Sequence, residues 1–413
     1  MAVILASQPQ EYGLAYNDNP FVFYSTEYYL QDSQRFKVII LPDGWPVTPP
    51  LATVRVFPRV GVSSIGSVFQ NRAYYDPSRI LQSQLETNVS IPSANHPTIF
   101  SNSNMAQSYG LFIQEEHKVG GVYVTGASII TEVKTVWNGV RNKVDWLSFV
   151  YTDYDMSAGT GKKFLTDAPN VQYINSNQSA FLYFLATQSD IVQLVIKSYD
   201  VNGSITNGSV NISGLSGTYG YVACGTYDIE NSDPSAWTGG NPATILNNAV
   251  YYTVNLKGLT FESEIFKFYI DSKCSKYTPI RLHWLNRLGG FDSFNFIYKS
   301  EVDTDVKRSS YLQEHHNFTG SSWEYNKASR GNTVYNVEMT STTRVNTDFL
   351  TDSESEWMED LFTSPVVYQE LNNELIAVTI DGKNIKRQTS LNDKLAQYTF
   401  DFTEALVNTR QRG

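Results

Sequence analysis

Glu115, Glu116 and His117 offer oxygen and nitrogen donors for a metal ion, and Asp153 with Asp155 offers the two carboxylates of a glycoside-cleaving site. Neighbouring residues of a strand point to opposite faces, so the first three cannot close on one ion and a solvated strand end is expected there. The two aspartates would have to face one cleft roughly 5 to 10 Å apart, which their spacing alone does not decide. Gly159-Thr160-Gly161 before Lys162 and Lys163 has the look of a phosphate loop, but a Walker loop needs Ser or Thr after its lysine and then a helix. Strand-like residues follow instead, and 154–164 is expected to be a loop and a linker. Gly289-Gly290 likewise lacks a following helix whose amides could hold a phosphate. His315-His316 has no acid or thiol at ligand spacing and is expected to be solvated. Glu354, Glu356, Glu359 and Asp360 could draw a cation, although acids in the first turn of a helix already favour its dipole. Cys224 and Cys274, with no CxxC or Cys-His spacing, are expected to be two buried thiols rather than a bridge. No catalytic, metal-binding or cofactor-binding residue is assigned, no cofactor is implied, and an enzyme is not expected.

The elements that would position these residues are strands. Charged residues make up 17 % of the chain and aromatic residues 14 %, with Ser, Thr, Asn and Gly filling the polar positions, a composition of β-rich exterior proteins. The net charge of −10 repels a phosphate backbone and no cluster of Lys and Arg opposes it, so nucleic acid is not an expected partner. No apolar run approaches the roughly 18 residues that span a bilayer. The opening MAVILASQPQ lacks the basic and apolar regions of a secretory signal, and synthesis without that export route is expected.

Residues 20–60 alternate as three strands. Asp76 is expected to cap a short helix begun by Pro77, with Arg79 in a surface ion pair. Asn138-Gly139, between alternating runs, is expected to turn a hairpin. Residues 165–275 place strands about every ten residues, the pattern of an immunoglobulin or fibronectin sandwich, and their Tyr and Phe are expected in the core. Ile280 to Leu285, then Gly289-Gly290, then Phe291, Phe294 and Phe296 read as strand, tight turn, strand. Near the end, Ser353-Glu354-Ser355-Glu356 reads as a capping box, Trp357, Met358, Leu361 and Phe362 share a helical face, and Ser364-Pro365 stops the helix. A hairpin around Asp381-Gly382 and a strand with Tyr398, Phe400 and Phe402 on one face follow. The expected fold is mainly β, with two or three β-sandwich domains: residues 1–155, a sandwich over 156–275, and 276–413 with a helix at 353–362.

Three segments carry a resemblance. Gln8-Pro9, Tyr16-Asn17 and Pro20 with Asp76 and Ser78 to Leu81 form the first, and Tyr277, Arg281, Leu282 and Leu285 to Phe294 the second. The third is the C-terminal order of Phe-Leu-Thr, a Ser-Glu-x-Glu-Trp helix, Thr-Ser-Pro-Val-Val-Tyr and a closing Tyr-Thr-Phe-Asp-Phe strand. Together they resemble structural virion proteins of environmental tailed bacteriophages, many from Bacteroidetes hosts, with a C-terminal module like that of distal-tail and baseplate proteins. The resemblance implies a non-enzymatic virion component. Its implied partners are copies of itself in a ring and other virion proteins such as tail tube, tail fibre or connector. A host-binding adhesin with a surface glycan as partner is the rival, and a glycan depolymerase a more distant one.

Overall fold

In the computed structural model of the chain, the described residues are 2–26, 33–42, 49–62, 68–87, 89–101, 103–187, 191–211, 219–258, 262–271, 276–314, 316–325, 331–381, 397–406 and 408–409. The fold is mainly β, as expected, with short helices between sheets. Contacts divide the chain into two compact units: Met1–Asp271 with Asn286–Asp292, and Ser272–Leu285 with Ser293–Gly413.

The first unit opens with two sheets packed face to face. One has the order Val3–Ser7, Phe21–Ser25, Val68–Tyr75, Arg59–Val62. The other runs Tyr12–Leu14, Lys134–Trp137, Ala106–Val119, Arg35–Pro42, Ala52–Val56, with Val122–Ile130 alongside Ala106–Val119. Alternation puts Phe21 and Phe23 on the inner face of the first sheet, and Phe36, Val38, Ile40, Leu111 and Ile113 on that of the second. The Phe23 ring meets Phe36 edge-on at 5.0 Å. Each such side chain contributes about 2 to 3 kcal/mol by leaving water, which makes this layer the source of the sandwich's stability.

The hairpin lies elsewhere than Asn138-Gly139. Ala106–Val119 folds back through Gly120 and Gly121, both at positive φ, onto Val122–Ile130. After Lys134–Trp137 the chain enters a short helix, Lys143–Trp146. Gly139 is there for close approach: a Cβ on it would fall 2.8 Å from Leu14 Cδ2 and 2.9 Å from the Arg287 carbonyl.

The rest of this unit holds a six-stranded sheet, Val171–Ile174, Phe266–Ile270, Tyr251–Gly258, Ile191–Tyr199, Ile205–Asn211, Trp237–Thr238, and a three-stranded one, Phe181–Leu185, Tyr219–Ala223, Ile99–Ser101. Every residue of Phe181–Leu185 and Tyr219–Ala223 is buried. Ile99–Ser101 comes from well before residue 155, so this sheet crosses the boundary expected at 155/156. The segment 154–164 is no linker either. Asp155 bridges to Leu185, Lys162 to Ser263, and the Gly161 amide donates to the Glu262 carbonyl at 2.7 Å. The boundary expected at 275/276 lies close to the one at 271/272.

The second unit is built on one sheet, ordered Phe291–Phe296, Ile280–Leu285, Val367–Leu371, Glu374–Asp381, Thr399–Glu404, Asn332–Asn346, Glu301–Leu312, with Asn408–Thr409 beside Asn332–Asn346. The expected strand-turn-strand around Gly289-Gly290 is present, and its turn, Asn286–Asp292, belongs to the first unit. The helix Asp352–Thr363 lies on one face of the sheet. Its Trp357 ring sits 5.1 Å from Trp284, and Phe362 sits 5.1 Å from Phe400. Tyr398, Phe400 and Phe402 are all buried, as their spacing predicts. The capping residue is Thr351 rather than Ser353: the Glu354 amide donates to Thr351 Oγ1, and Glu354 Oε2 accepts from the Thr351 amide at 2.8 Å. The helix therefore starts earlier than expected and still stops at Ser364. Another hairpin turns at Asn372-Asn373, both at positive φ; Gly382 and the residues expected to follow it in a hairpin lie outside the described residues, as do Cys274 and His315.

Candidate functional site

Several of the acids singled out in the sequence are held by hydrogen bonds. Glu115 and Glu116 do face opposite ways, but neither is solvated, contrary to the expected strand end. Glu115 is fully buried and accepts from Ser25 Oγ at 2.9 Å and Gln34 Nε2 at 2.8 Å. Glu116 pairs with Arg35 at 2.6 Å and Arg55 at 3.5 Å. Asp155 is buried and accepts from the Ser157 amide, the Thr187 amide and Thr187 Oγ1, while Asp153 is exposed. Asp155 Oδ1 thus holds two backbone amides while Oδ2 takes the Thr187 hydroxyl. In the C-terminal helix Glu354 completes the cap, Glu356 is exposed and Asp360 is buried. Among the described residues no group of three or more His, Cys, Asp or Glu is placed to hold a metal ion. Cys224 is buried, and His316 begins the short strand His316–Thr319.

Asn17, Asp76 and Ser78 of the first resemblance and the turn Asn286–Asp292 of the second meet in one place in the first unit. Asp76 Oδ1 accepts from the Ser78 amide at 2.9 Å and from the Asn19 amide at 3.3 Å. Asp76 thus braces the turn before the short helix Ser78–Gln82, but the N-cap position is Pro77, without a side-chain cap, and not Asp76 as expected; the expected ion pair with Arg79 is absent among the described residues. Ser78 Oγ donates to the Asn17 carbonyl at 2.8 Å, and the Asn17 side chain clamps the backbone of Arg141 from both sides, at 2.7 and 2.8 Å. Val140 then donates to the Arg287 carbonyl at 2.7 Å, and Trp137 Nε1 to that of Leu288 at 2.9 Å. The turn itself is knotted by Asn286, whose Oδ1 accepts from the Leu288 and Gly290 amides. Its Nδ2 donates to the Leu165 carbonyl and to Asp292 Oδ1, which also accepts from Thr166 Oγ1 at 2.7 Å. Buried polar groups satisfied this completely fix one backbone geometry, which is a structural use of the motif.

A second buried polar cluster, in the second unit, was not foreseen. Glu370 Oε2 takes His283 Nε2 at 2.8 Å and Arg281 Nε at 3.3 Å, and Arg281 also donates to Asn295 Oδ1 and Ser293 Oγ. Arg281 and His283 alternate with Leu282 and Trp284, so this polar row occupies the sheet face opposite the helix. The alternation of Arg and His with apolar residues was the available signal. Burial pushes the His283 imidazole down, against the pull of the Glu370 carboxylate.

The tyrosines of the six-stranded sheet depart from the expected core in one row. Tyr173, Tyr269, Tyr251 and Tyr199 lie directly opposite one another across four strands. Tyr173 is 63 % exposed. Neighbouring centroids are 4.5 Å apart for Tyr199 and Tyr251 and 5.6 Å for Tyr173 and Tyr269, both stacked, with the Lys267 ammonium 3.8 Å from the Tyr251 ring centre. A sugar platform presents ring faces to the ligand, and here most faces are turned to one another.

The longest strand pairing among the described residues forms an exposed arm. Glu301–Leu312 and Asn332–Asn346 pair antiparallel over the whole of the former, whose residues are almost all exposed. His316–Thr319 and Ser322–Tyr325 form a small hairpin between them, with Trp323 61 % exposed. No protein-family model matches the chain, and no curated protein matches it. Among the described residues no helix is long and apolar enough to cross a membrane.

Proposed function

We propose that the chain is a structural, non-enzymatic component of a tailed-phage virion, assembled in the host cytoplasm as a ring or attachment element of the tail or baseplate. Its partners are copies of itself and neighbouring virion proteins such as tail tube, fibre or connector. The arm is the observation that supports this reading best. An outermost strand as exposed as Glu301–Leu312 gains little from its own packing, so its length makes sense as a surface for a neighbour. The buried acids add support, because Glu115, Glu116 and Asp155 are each taken up by neighbouring side chains or amides. Immunogold labelling of the intact phage with antibody to this chain tests the reading: label confined to one site on the tail is expected, and unlabelled particles would refute it. The outward tyrosine row is the feature that favours the rival adhesin. Binding of the full chain to host glycans that is lost in Tyr173→Ala would move the function there.

A further inference from the structure

We propose that Glu301–Leu312 is the edge through which two copies of this chain join, strand to strand and antiparallel, about a two-fold axis at Val306. The strand ends the sheet of the second unit: Asn332–Asn346 pairs with its inner side, and no strand pairs with its outer side among the described residues. It is 12 residues long and contains neither Gly nor Pro. Proteins usually blunt such an edge by keeping it short or by adding proline, a bulge or scattered charge. Here the pairing shifts register once, between Ser309 and Ser310, and the charges are sorted instead of scattered. Glu301, Asp303 and Asp305 occupy the first half, and Lys307 and Arg308 follow Val306.

That sorting selects the occupant and the register. A two-fold antiparallel contact sets each residue opposite the one equally far on the other side of the axis, and keeps both on the same sheet face. With the axis at Val306, Asp305 lies opposite the partner's Lys307 and Lys307 opposite the partner's Asp305. Thr304 lies opposite the partner's Arg308, Asp303 opposite the partner's Ser309, and the two Val306 side chains meet. No like charges oppose each other. An axis at Asp305 or at Lys307 would place that residue against its own copy, and an axis at Thr304 would set Asp303 against the partner's Asp305 on both sides of it. Within one copy Lys307 already lies opposite Glu338, so the pairing leaves it between two acids. About ten new backbone hydrogen bonds would form along the overlap, joining the two sheets into one. The contact closes on two copies and is separate from any ring closure, so the ring reading stands or falls without it.

Charge exchange and cross-linking of the full chain test the pairing. Asp305→Lys alone and Lys307→Asp alone each turn both attractive pairs repulsive and are expected to weaken dimerisation about tenfold or more; the double variant Asp305→Lys/Lys307→Asp restores the attraction and is expected to recover it. Circular dichroism confirms that these exposed substitutions leave the fold intact. Val306→Cys is expected to give a covalent dimer with oxidised glutathione, two thiols becoming one disulfide. Val302→Cys, whose two copies would stand about 27 Å apart, is expected to give none. A Val306→Cys chain that stays monomeric under the same oxidant, or a double variant no better than the singles, overturns the proposal.

Discussion

At the scale of single residues, two glycines at positive φ separate backbone strain from close approach. Gly203 has φ +77° and open space where a Cβ would stand; Gly289 has φ +87° and the Asn138 carbonyl oxygen 2.1 Å from that point. Gly203→Ala is expected to cost about 1 kcal/mol for the left-handed backbone, and Gly289→Ala about 3 kcal/mol or more once the clash is added, measured as the shift of urea unfolding. Equal costs would mean that the turn is not held as described. Gly289-Gly290 showed in the sequence that a turn falls there. What the turn docks against did not, because Asn138 and Leu165 are more than a hundred residues away and nothing in local spacing reports such a contact. The burial of Glu115 and Glu116 escapes local spacing for the same reason: their partners Ser25, Gln34 and Arg35 lie some eighty to ninety residues off, on or just before other strands. His283 gives a pH test. Its folded-state pKa lies below the ordinary 6.5, so between those values the unfolded chain takes up a proton that the folded chain refuses. Its contribution to stability is complete above 6.5 and is lost as the pH falls below it. Arg281 adds to the downward push and Glu370 opposes it. His96 is also lowered by burial and stays in the variant, so the difference between wild type and His283→Gln in the slope of stability from pH 7.5 to 5 isolates the His283 part. Wild type is expected to show the steeper loss, and parallel slopes would refute a proton-refusing His283.

At the scale of elements, the C-terminal helix shows what local pattern carries. The spacing of Trp357, Met358, Leu361 and Phe362 is enough to place a helix with one apolar face, and that face is the one covered by the sheet. The expected cap was Ser353; Thr351 also precedes a glutamate by three residues, and the backbone geometry chooses it. Thr351→Ala is expected to lower stability by about 1 kcal/mol and Ser353→Ala by less, read from thermal unfolding; the reverse order would return the cap to Ser353. Trp357→Ala, which empties the contact with Trp284, is expected to cost about 3 to 5 kcal/mol. Strands were similarly legible from alternation, whereas their partners were not. Asn138-Gly139 has the composition of a hairpin turn, yet the glycine serves a close contact with Leu14 and Arg287, and Gly120-Gly121 makes the turn. The tyrosine row defeated the burial rule because alternation assigns a face to each residue without saying which face is covered.

At the scale of the whole chain, a mainly β fold was readable from composition and its division was less so. Ile99–Ser101 joins a sheet otherwise built after residue 180, and the turn Asn286–Asp292 belongs to the first unit while the strands it connects lie mostly in the second. Such exchanges tie the early, central and late parts of the chain together, and they use the motif residues for architecture. Offered to a neighbour is the arm, with its sorted charges and an edge that no strand covers among the described residues. The account therefore stands on self-association of the intact chain, and native mass measurement of the purified protein over a hundredfold dilution tests it most directly. Discrete multimers of fixed copy number that dissociate only on dilution are expected; a single chain's mass at every concentration would contradict the account.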